Sequence, residues 1–347
     1  AFLELWSLVK AVDIVDIQAS SAEARRMSAL QDFESTEYRV TGDPDEPTLV
    51  WLPKEKSWGP NFLKFDLGLY ASLEGDATFT IYGQHERTWV NKLGAEWRNK
   101  LEIGFDSQLT TSFYQPLETS QTFFAEPKAG WRRTTENFYL DGDRVAKYLF
   151  ADLFAGLDLG MNLGNQAQVR AGYMYSRRDI QIDTGSPQLQ DDSFDDVGPT
   201  VTAMFDSRDT PFKPTSGVAL AVEYMQSNES LGASRDWERA EAAIGAAIPV
   251  RKDVVWLTLA GGTDLGSDLP VDRYFAVGGP NSFPGTQLGE WRSDQYWVAS
   301  GSYLWQVKEL LALRGQALYT GVQLTVGDIY DRLDLINDGV VYGGSVY

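Results

Sequence analysis

The chain has few residues that could do chemistry on a bound substrate. It contains one histidine, His85, and no cysteine, so a nucleophilic triad has one candidate base and no thiol. His85 follows Gln84 and precedes Glu86 at the predicted end of a strand, which favours a solvated turn residue over a catalyst. The sequence therefore predicts no catalytic residue, no metal site and no cofactor.

Two groups of carboxylates suggest a site, but neither has the spacing that a site requires. The run Asp191–Asp196 lacks the glycine and glutamate positions of a calcium-binding EF-hand loop, which favours a solvated loop. Glu102 and Asp106 share one strand face about 13 Å apart, which is too far for the carboxylate pair of a glycosidase.

Charge and aromatic content limit the partners of the chain. Its formal net charge is -19, which argues against nucleic acid because the phosphates would repel it. Aromatic residues make up 13% of the chain, with 11 Trp and 16 Tyr, and these two residue types favour membrane–water interfaces. A helical span needs about 20 consecutive apolar residues, and no such run occurs. A membrane position would therefore require strands.

From Asn61 onward, apolar and polar residues alternate with the period of a β-strand. Over Leu149–Met161 the odd positions are apolar, and the even ones include Asp152. This segment and Val169–Tyr175, joined by a turn at Asn165–Gln166, are predicted to form a hairpin. A soluble β-sandwich also alternates, but its strands are shorter and its polar face meets bulk water. The pattern favours a transmembrane barrel with apolar residues outside and polar ones inside.

About fourteen strand candidates follow one another after Asn61. The last, Val340–Tyr347, stops in mid-strand, whereas closed bacterial barrels leave no free edge. We expect either closing strands outside this sequence or a second copy on the edge, as in a homodimer. Tryptophans near strand ends are expected to form interface girdles, with a sugar- or lipid-binding platform as the alternative. They are Trp58, Trp89, Trp97, Trp131, Trp256, Trp291, Trp297 and Trp305.

Residues 1–57 show a different pattern. Residues 1–20 are predicted to be a linker or docking segment from an upstream domain. Ala1–Lys10 lacks signal-peptide features, as expected for part of a longer precursor. In residues 21–57 we predict a helix over Ala22–Gln31 and two strands, Phe33–Val40 and Thr48–Leu52. The order Leu30-x-x-Phe33-x-x-x-x-Tyr38 resembles the end of a POTRA domain, a periplasmic α/β module.

Three further stretches resemble parts of the Omp85 barrel superfamily. The join over residues 53–61 looks like that of patatin-like type Vd autotransporters, which belong to this superfamily. A second stretch resembles the D-x-R-D…P-x-x-G motif of a strand end and periplasmic turn: Asp206, Arg208, Asp209, Pro214 and Gly217. A third resembles the long sixth extracellular loop, which folds back into the lumen: Gly278, Gly279, Phe283, Pro284, Gly285 and Glu290.

The resemblance implies a mostly β chain whose residues 58–347 form an Omp85-type antiparallel transmembrane β-barrel, of about 16 strands in the family. A partial α/β POTRA domain, residues 21–57, precedes it. The implied location is the bacterial outer membrane, with the N-terminal part in the periplasm. The implied partners are outer-membrane lipids and the barrel-assembly machinery.

The implied function is to anchor, and to help translocate, an upstream patatin-like phospholipase. The G-x-S-x-G motif of that serine lipid hydrolase does not occur here, so this chain is expected to be no enzyme although its parent is one. The alternatives are a general Omp85 transporter or assembly factor for other proteins, and a passive pore.

The loop departs from the family's pattern at one position. Pro284 stands where most members carry an arginine before the central glycine. Arg273 or Arg292 would then have to provide the charged anchor of the loop. For Asp206, Arg208 and Asp209 two interpretations stay open, a lumen charge cluster and a turn network at the periplasmic rim, since both use charge-assisted hydrogen bonds.

Overall fold

A computed structural model describes residues 33–43, 46–55, 60–71, 77–140, 142–185, 192–210, 213–279, 282–311, 316–330 and 339–346. The predicted segment 1–20 and the predicted helix Ala22–Gln31 lie outside these residues. Within the described ranges the only helices are two 3-10 turns, Glu229–Leu231 and Val271–Arg273. No helix in this part of the chain has the length and apolarity to cross a membrane.

The described residues form eighteen strands in three antiparallel sheets. They are β1 Phe33–Asp43, β2 Glu46–Glu55, β3 Asn61–Ala71, β4 Ala77–Arg87, β5 Glu96–Gly104, β6 Ser107–Pro116, β7 Phe123–Leu140, β8 Asp143–Leu163, β9 Ala167–Gly185, β10 Asp192–Asp206, β11 Gly217–Ser227, β12 Trp237–Val250, β13 Asp253–Thr263, β14 Phe275–Val277, β15 Trp291–Ser293, β16 Gln295–Leu311, β17 Gln316–Tyr330 and β18 Val340–Val346.

Fourteen of these strands, β3–β13 and β16–β18, make one sheet in which each strand pairs with its neighbour along the chain. The prediction of a mostly β chain with about fourteen strands after Asn61 is confirmed. The connection from β13 to β16 is long and contains the hairpin β14–β15. The chain divides into two compact units, residues 1–104 with 109–127, and residues 105–108 with 128–347.

In the first unit, β1 and β2 form the predicted hairpin, in which Tyr38 pairs with Trp51. Strands β3, β4 and β5 form a ladder whose one face is apolar and exposed, with Phe65 at 76% exposure. Alternation along β3 produces this face, because Leu63, Leu67 and Leu69 share its parity.

His85 is not a turn residue, as the sequence suggested, but lies within β4. It pairs with Leu63 on β3 and Asn99 on β5. Its imidazole Nε2 is 3.4 Å from Oδ1 of Asn61, and Nδ1 is 3.1 Å from Nδ2 of Asn99. The strand continues to Arg87 because cross-strand pairing with Asn61 continues that far. Amide side chains therefore hold the ring, and it serves as a structural residue of the ladder.

In the second unit, the hairpin β8–β9 exposes apolar side chains and buries charged ones, which is the reverse of a soluble protein. Leu157 is 48% exposed, whereas Asp152 is 2% and Asp158 3% exposed. The turn closes with Leu163 paired to Ala167, as the alternation predicted. We call the face that carries Asp152 the inner face, because the connection from β13 to β16 packs on it, and the opposite face the outer face.

That connection, residues 264–294, is named the β13–β16 loop. Its β14–β15 hairpin pairs Ala276 with Arg292. The buried apolar cluster of the loop includes Phe275 and Phe283 and also Val298 and Ile329 of the sheet. Glycines make room for it, since a Cβ on Gly262 would lie 2.5 Å from the Phe275 ring and one on Gly327 2.8 Å from Phe283.

A charge on the outer face should destabilise the fold if that face meets lipid. We expect Leu157→Arg to lower the free energy of unfolding by roughly 2–4 kcal/mol near the bilayer midplane, because the guanidinium must be buried in hydrocarbon. Thr202→Arg, at an inner-face position on β10, is the matched control and should cost far less. Urea unfolding of protein folded into phospholipid vesicles measures both. Equal losses for the two variants would contradict the assignment of the faces.

Candidate functional site

Six charged residues of the second unit meet where the β13–β16 loop packs on the inner face. Three are aspartates and three are arginines, so the formal charges balance. The residues of this charge network are Asp152 on β8, Arg178 on β9, Asp196 on β10, Arg235 in the β11–β12 connection, and Asp272 and Arg273 in the loop.

Arg178 connects the inner face of the sheet to the loop. It is the cross-strand partner of Asp152, and its Nε and Nη2 donate to the two carboxylate oxygens of Asp152 at 2.8 Å each. Its Nη1 donates to the backbone oxygen of Asp272 at 2.6 Å. A two-pronged arginine–carboxylate pair fixes orientation as well as distance. The pair with Asp152 therefore fixes the guanidinium of Arg178, and Nη1 of that guanidinium holds the loop to β9.

Asp196 is the most buried member, with 0% exposure. One of its oxygens accepts a hydrogen bond from Nε1 of Trp237 at 2.8 Å, and the other is ion-paired with Nη2 of Arg273. Nε of Arg235 lies 3.4 Å away. A buried carboxylate without such partners would be strongly destabilising, so Asp196 depends on the loop being in place.

Arg235 connects the β11–β12 connection to the loop. Its two Nη atoms donate to the two oxygens of Asp272 at 2.7 and 2.8 Å. The guanidinium also lies 4.1 Å above the ring of Phe194, in cation–π geometry. Burial alone would lower the pKa of Arg235, but the hydrogen bonds and charge of Asp272 raise it above its ordinary value. Arg235 therefore remains a cation in the network.

Arg273 is the cation that the loop contributes to the charge network. Burial and the neighbouring Arg178 lower the pKa of Arg273 to about 10, against the opposing effect of Asp196 and Asp152. It thus stays protonated at neutral pH. Its guanidinium also lies 5.2 Å from the ring of Trp237. The loop contributes one aspartate and one arginine, and each finds a partner of opposite charge on the sheet or the β11–β12 connection.

Arg292 makes a second, separate attachment of the loop. Its Nη2 lies 2.5 Å from Oε2 of Glu136 on β7, and the guanidinium lies 4.2 Å above the ring of Phe138. Both arginines suggested to replace the family's loop arginine are thus buried in ion pairs on the inner face. Pro284 itself packs beside Gly343 of β18, where an added Cβ would come within 3.3 Å of its ring.

The predicted loop residues build the loop and do not form its charge network. Gly278, Gly279 and Gly285 have positive φ angles of 130°, 90° and 95°, as tight turns require. The amide of Gly279 donates to Oγ1 of Thr286 at 2.9 Å. Phe283 is buried with its ring 5.1 Å from that of Trp291. These residues shape the turn between β14 and β15.

Glu290 and Trp291 likewise belong to the body of the loop. Oε2 of Glu290 accepts a hydrogen bond from the amide of Gln287 at 2.6 Å, which closes the last turn before β15. Trp291 is buried in the loop cluster, so its assignment to an interface girdle is wrong. Its apolar surroundings come from residues distant in sequence, such as Val298 and Ile329.

Asp206, Arg208 and Asp209 form a local turn network, as one of the two interpretations predicted. Arg208 donates to Asp206 at 2.9 and 2.7 Å, and both remain part-exposed. Asp209 accepts bonds from the Thr215 hydroxyl and from backbone amides of Thr210, Thr215 and Ser216. The Thr215 hydroxyl, with these amides, lowers the pKa of Asp209 below its ordinary value. The structure places none of the three in the charge network.

Pro214 and Gly217 complete the same turn. The backbone oxygen of Pro214 accepts a hydrogen bond from Nε1 of Trp256 on β13 at 2.8 Å. Gly217 has a φ of 104°, and a Cβ there would lie 2.5 Å from the backbone oxygen of Ser207. The motif therefore fixes the β10–β11 turn against the sheet.

Sequence reasoning missed most of the network. The run Asp191–Asp196 was expected to be a solvated loop, but β10 begins at Asp192 and Asp196 is its buried hub. The available signal was parity, because Asp196 lies in phase with Thr200 and Thr202 on the polar face of the strand. Among the described residues, no group of three or more histidines, cysteines or acids could hold a metal ion.

Comparison with known proteins places the fold in a family. The Omp85 superfamily domain matches residues 90–322. BamA from Haemophilus ducreyi lacking POTRA domains 1-3 is similar in structure, with a TM-score of 0.68 at 11% identity, over 99% of this chain and 81% of that chain. No curated protein matches the sequence.

Two CdiB structures are also similar. CdiB from Escherichia coli has a TM-score of 0.63 at 11% identity, over 99% of this chain and 66% of that chain. CdiB from Acinetobacter baumannii has a TM-score of 0.53 at 12% identity, over 99% of this chain and 70% of that chain. At these identities the likeness concerns the fold.

Removing the central carboxylate should release the β13–β16 loop. We expect Asp196→Asn to weaken the attachment of the loop by roughly 3–5 kcal/mol, because Arg273 would remain buried without its main ion-pair partner. Trypsin should then cleave after Arg273 in the folded protein, whereas the wild type should resist. Asp179→Asn, an exposed carboxylate on β9, is the control. Equal resistance of the wild type and Asp196→Asn would show that Asp196 does not hold the loop.

Proposed function

Because this chain belongs to the Omp85 superfamily, we propose that it is an outer-membrane barrel that transports or assembles other polypeptides. Its fold is an Omp85-type antiparallel sheet of 14 strands, similar to the barrels of BamA and CdiB. One observation carries the proposal: a loop of some thirty residues is held on the polar inner face by a charge-balanced network. Such a loop suits a conduit that stays closed until it is used.

The outer face supports a membrane position. Leu153, Leu157 and Leu159 on β8 are exposed, as are Leu257 and Leu259 on β13. Apolar side chains on this face would contact outer-membrane lipid, while the ladder satisfies the backbone polar groups. Such a barrel would be inserted by barrel-assembly machinery. Outer-membrane lipid and the barrel-assembly machinery are therefore the partners that we propose.

The lengths of the connections between strands support one orientation of the sheet in the membrane. The links β8–β9 and β12–β13 have three and two residues between strands, whereas the β13–β16 loop at the other end has thirty-one. Outer-membrane barrels have short periplasmic turns and longer extracellular loops. We therefore assign the β13–β16 loop to the extracellular end and the Asp206–Gly217 turn to the periplasmic end.

The buried ion pairs support a gated conduit over a passive pore. Breaking a buried pair leaves uncompensated charges and costs about 3–5 kcal/mol, so spontaneous release of the loop should be rare. Opening then needs an incoming polypeptide or a partner that binds the open state better. A passive pore would have no use for such a lock.

The finer proposal is that the barrel anchors an upstream patatin-like phospholipase, as in type Vd autotransporters. The join over residues 53–61 supports it. The β1–β2 hairpin supports the related proposal that residues 21–57 end a periplasmic POTRA domain. Pairing of two copies through a sheet edge also remains a proposal. The general transporter role accounts for the family match without any further domain.

Deleting the gene in its host separates the two roles. A general transporter should leave one or more other polypeptides missing from the outer membrane or the medium, and the intact gene should restore them. A patatin anchor should leave protein profiles unchanged and remove a lipid-hydrolysing activity. Quantitative proteomics of both fractions, together with a phospholipase assay, measures these outcomes. Loss of neither would contradict both proposals.

Planar-bilayer recording tests the closed conduit. The wild type should show small or flickering conductance, because the β13–β16 loop is held on the inner face by the charge network. The double variant Asp196→Ala with Arg273→Ala removes one charge of each sign and should raise the mean conductance several-fold by freeing the loop. Asp179→Asn serves again as the control. A large, steady channel from the wild type would refute the gated conduit.

A further inference from the structure

Beneath the charge network, the inner face of the second unit contains a cavity of about 430 Å³. Six strands, β7–β12, contribute its walls, and Asp152 and Arg273 of the network border it together with Trp237. A volume of this size holds a large side chain with part of its backbone, or a small ligand. Gly156 and Gly198 keep the neighbouring wall free of side chains, because added Cβ atoms would lie 2.9 and 2.0 Å from backbone oxygens.

The apolar part of the lining is flexible. Met174 and Met225 face the cavity from β9 and β11, and Phe154 faces it from β8. Methionine is unbranched and polarisable, so it adapts to ligands of different shape. The cavity therefore offers an accommodating apolar surface rather than a fitted pocket for one molecule.

One carboxylate of the lining is unused by the protein. Asp152 is saturated by Arg178. Glu223 on β11 is exposed towards the cavity, and within the described ranges no hydrogen bond or ion pair engages its side chain. Its cross-strand neighbour Glu241, by contrast, accepts from Tyr296 at 2.6 Å and pairs with Arg239 at 3.1 Å. The carboxylates of Glu223 and Glu241 thus lie side by side, and of the two only Glu241 is paired with a cation, Arg239.

We propose that this cavity binds a single basic side chain of an unfolded polypeptide, with its cation on Glu223 and its methylene stem against the methionines. This deepens the proposed function and rests on it, since it names the substrate feature that the conduit recognises. Four cations also line the cavity, Lys128, Arg132, Arg239 and Arg273. Arg239 and Arg273 are paired with Glu241 and Asp196. Lys128 is neutralised by Asp158 at 2.7 Å, whereas Arg132 is half exposed and 3.9 Å from Asp152. Arg132 repels any cation close to it, which limits the fit to one isolated basic residue placed beside Glu223.

Peptide binding to the full chain in detergent tests the assignment. The probe is a fluorescein-labelled peptide, Gly-Ser-Ser-Arg-Ser-Ser-Gly, and its partner carries Gln in place of Arg. Fluorescence anisotropy should show tighter binding of the Arg peptide to the wild type. Glu223→Gln should weaken that binding about tenfold, the effect of one charge-assisted hydrogen bond. It should leave the Gln peptide unaffected.

Two further variants make the result specific. Glu229→Gln removes an exposed carboxylate in the β11–β12 connection and should bind the Arg peptide like the wild type. Glu223→Asp keeps the charge and should retain more affinity than Glu223→Gln, which excludes a general folding defect. Equal binding of the two peptides to the wild type, or an unchanged affinity in Glu223→Gln, would overturn the proposal.

The outcome is separable from that of the proposed function. Loss of Arg-peptide binding in Glu223→Gln, combined with an unchanged proteome on gene deletion, would retain the site and reject transport. A changed proteome, combined with Arg-peptide binding that ignores Glu223, would retain transport and reject the site.

Discussion

A carboxylate with no exposed surface must be compensated by cations and hydrogen-bond donors nearby, and Asp196 obtains them from three parts of the chain. Trp237 begins β12, Arg235 precedes it, and Arg273 comes from the β13–β16 loop. Since a buried unpaired charge is among the costliest defects in a protein, the loop and the strand stabilise each other. The network holds the loop in place, and the loop completes the network.

This mutual dependence explains how the loop can cover a polar inner face although only part of the contact between them is apolar. The loop brings apolar residues, Phe275 and Phe283, to positions where glycines of β13 and β17 leave space. It brings charged residues, Asp272 and Arg273, to positions where the sheet and the β11–β12 connection offer opposite charges. Charge-assisted pairs of this kind are directional, so they fix the orientation of the loop as well as its distance from the sheet.

At Pro284 the resemblance to the superfamily led us to expect an arginine. Pro284 cannot carry charge, yet the loop still has cationic attachments, because Arg273 precedes Pro284 and Arg292 follows it within the loop. The sequence indicated both as replacements without indicating their partners. For the turn at Asp206–Gly217 the sequence left two interpretations open, and the structure shows donors and acceptors that lie within a few residues of one another. His85 and Trp291 were misassigned because each owes its environment to another segment.

Period-two alternation, read from the sequence alone, determined the strands, the β8–β9 hairpin and the sorting of apolar and polar faces, because each depends on neighbours within one or two strands. The charge network was decided only by tertiary structure. Arg178 and Asp272 lie 94 positions apart, and Arg273 and Asp196 lie 77 apart. Alternation determines which face a residue occupies, but pairing across that face depends on where a long loop returns, and side-chain periodicity carries no information about that return.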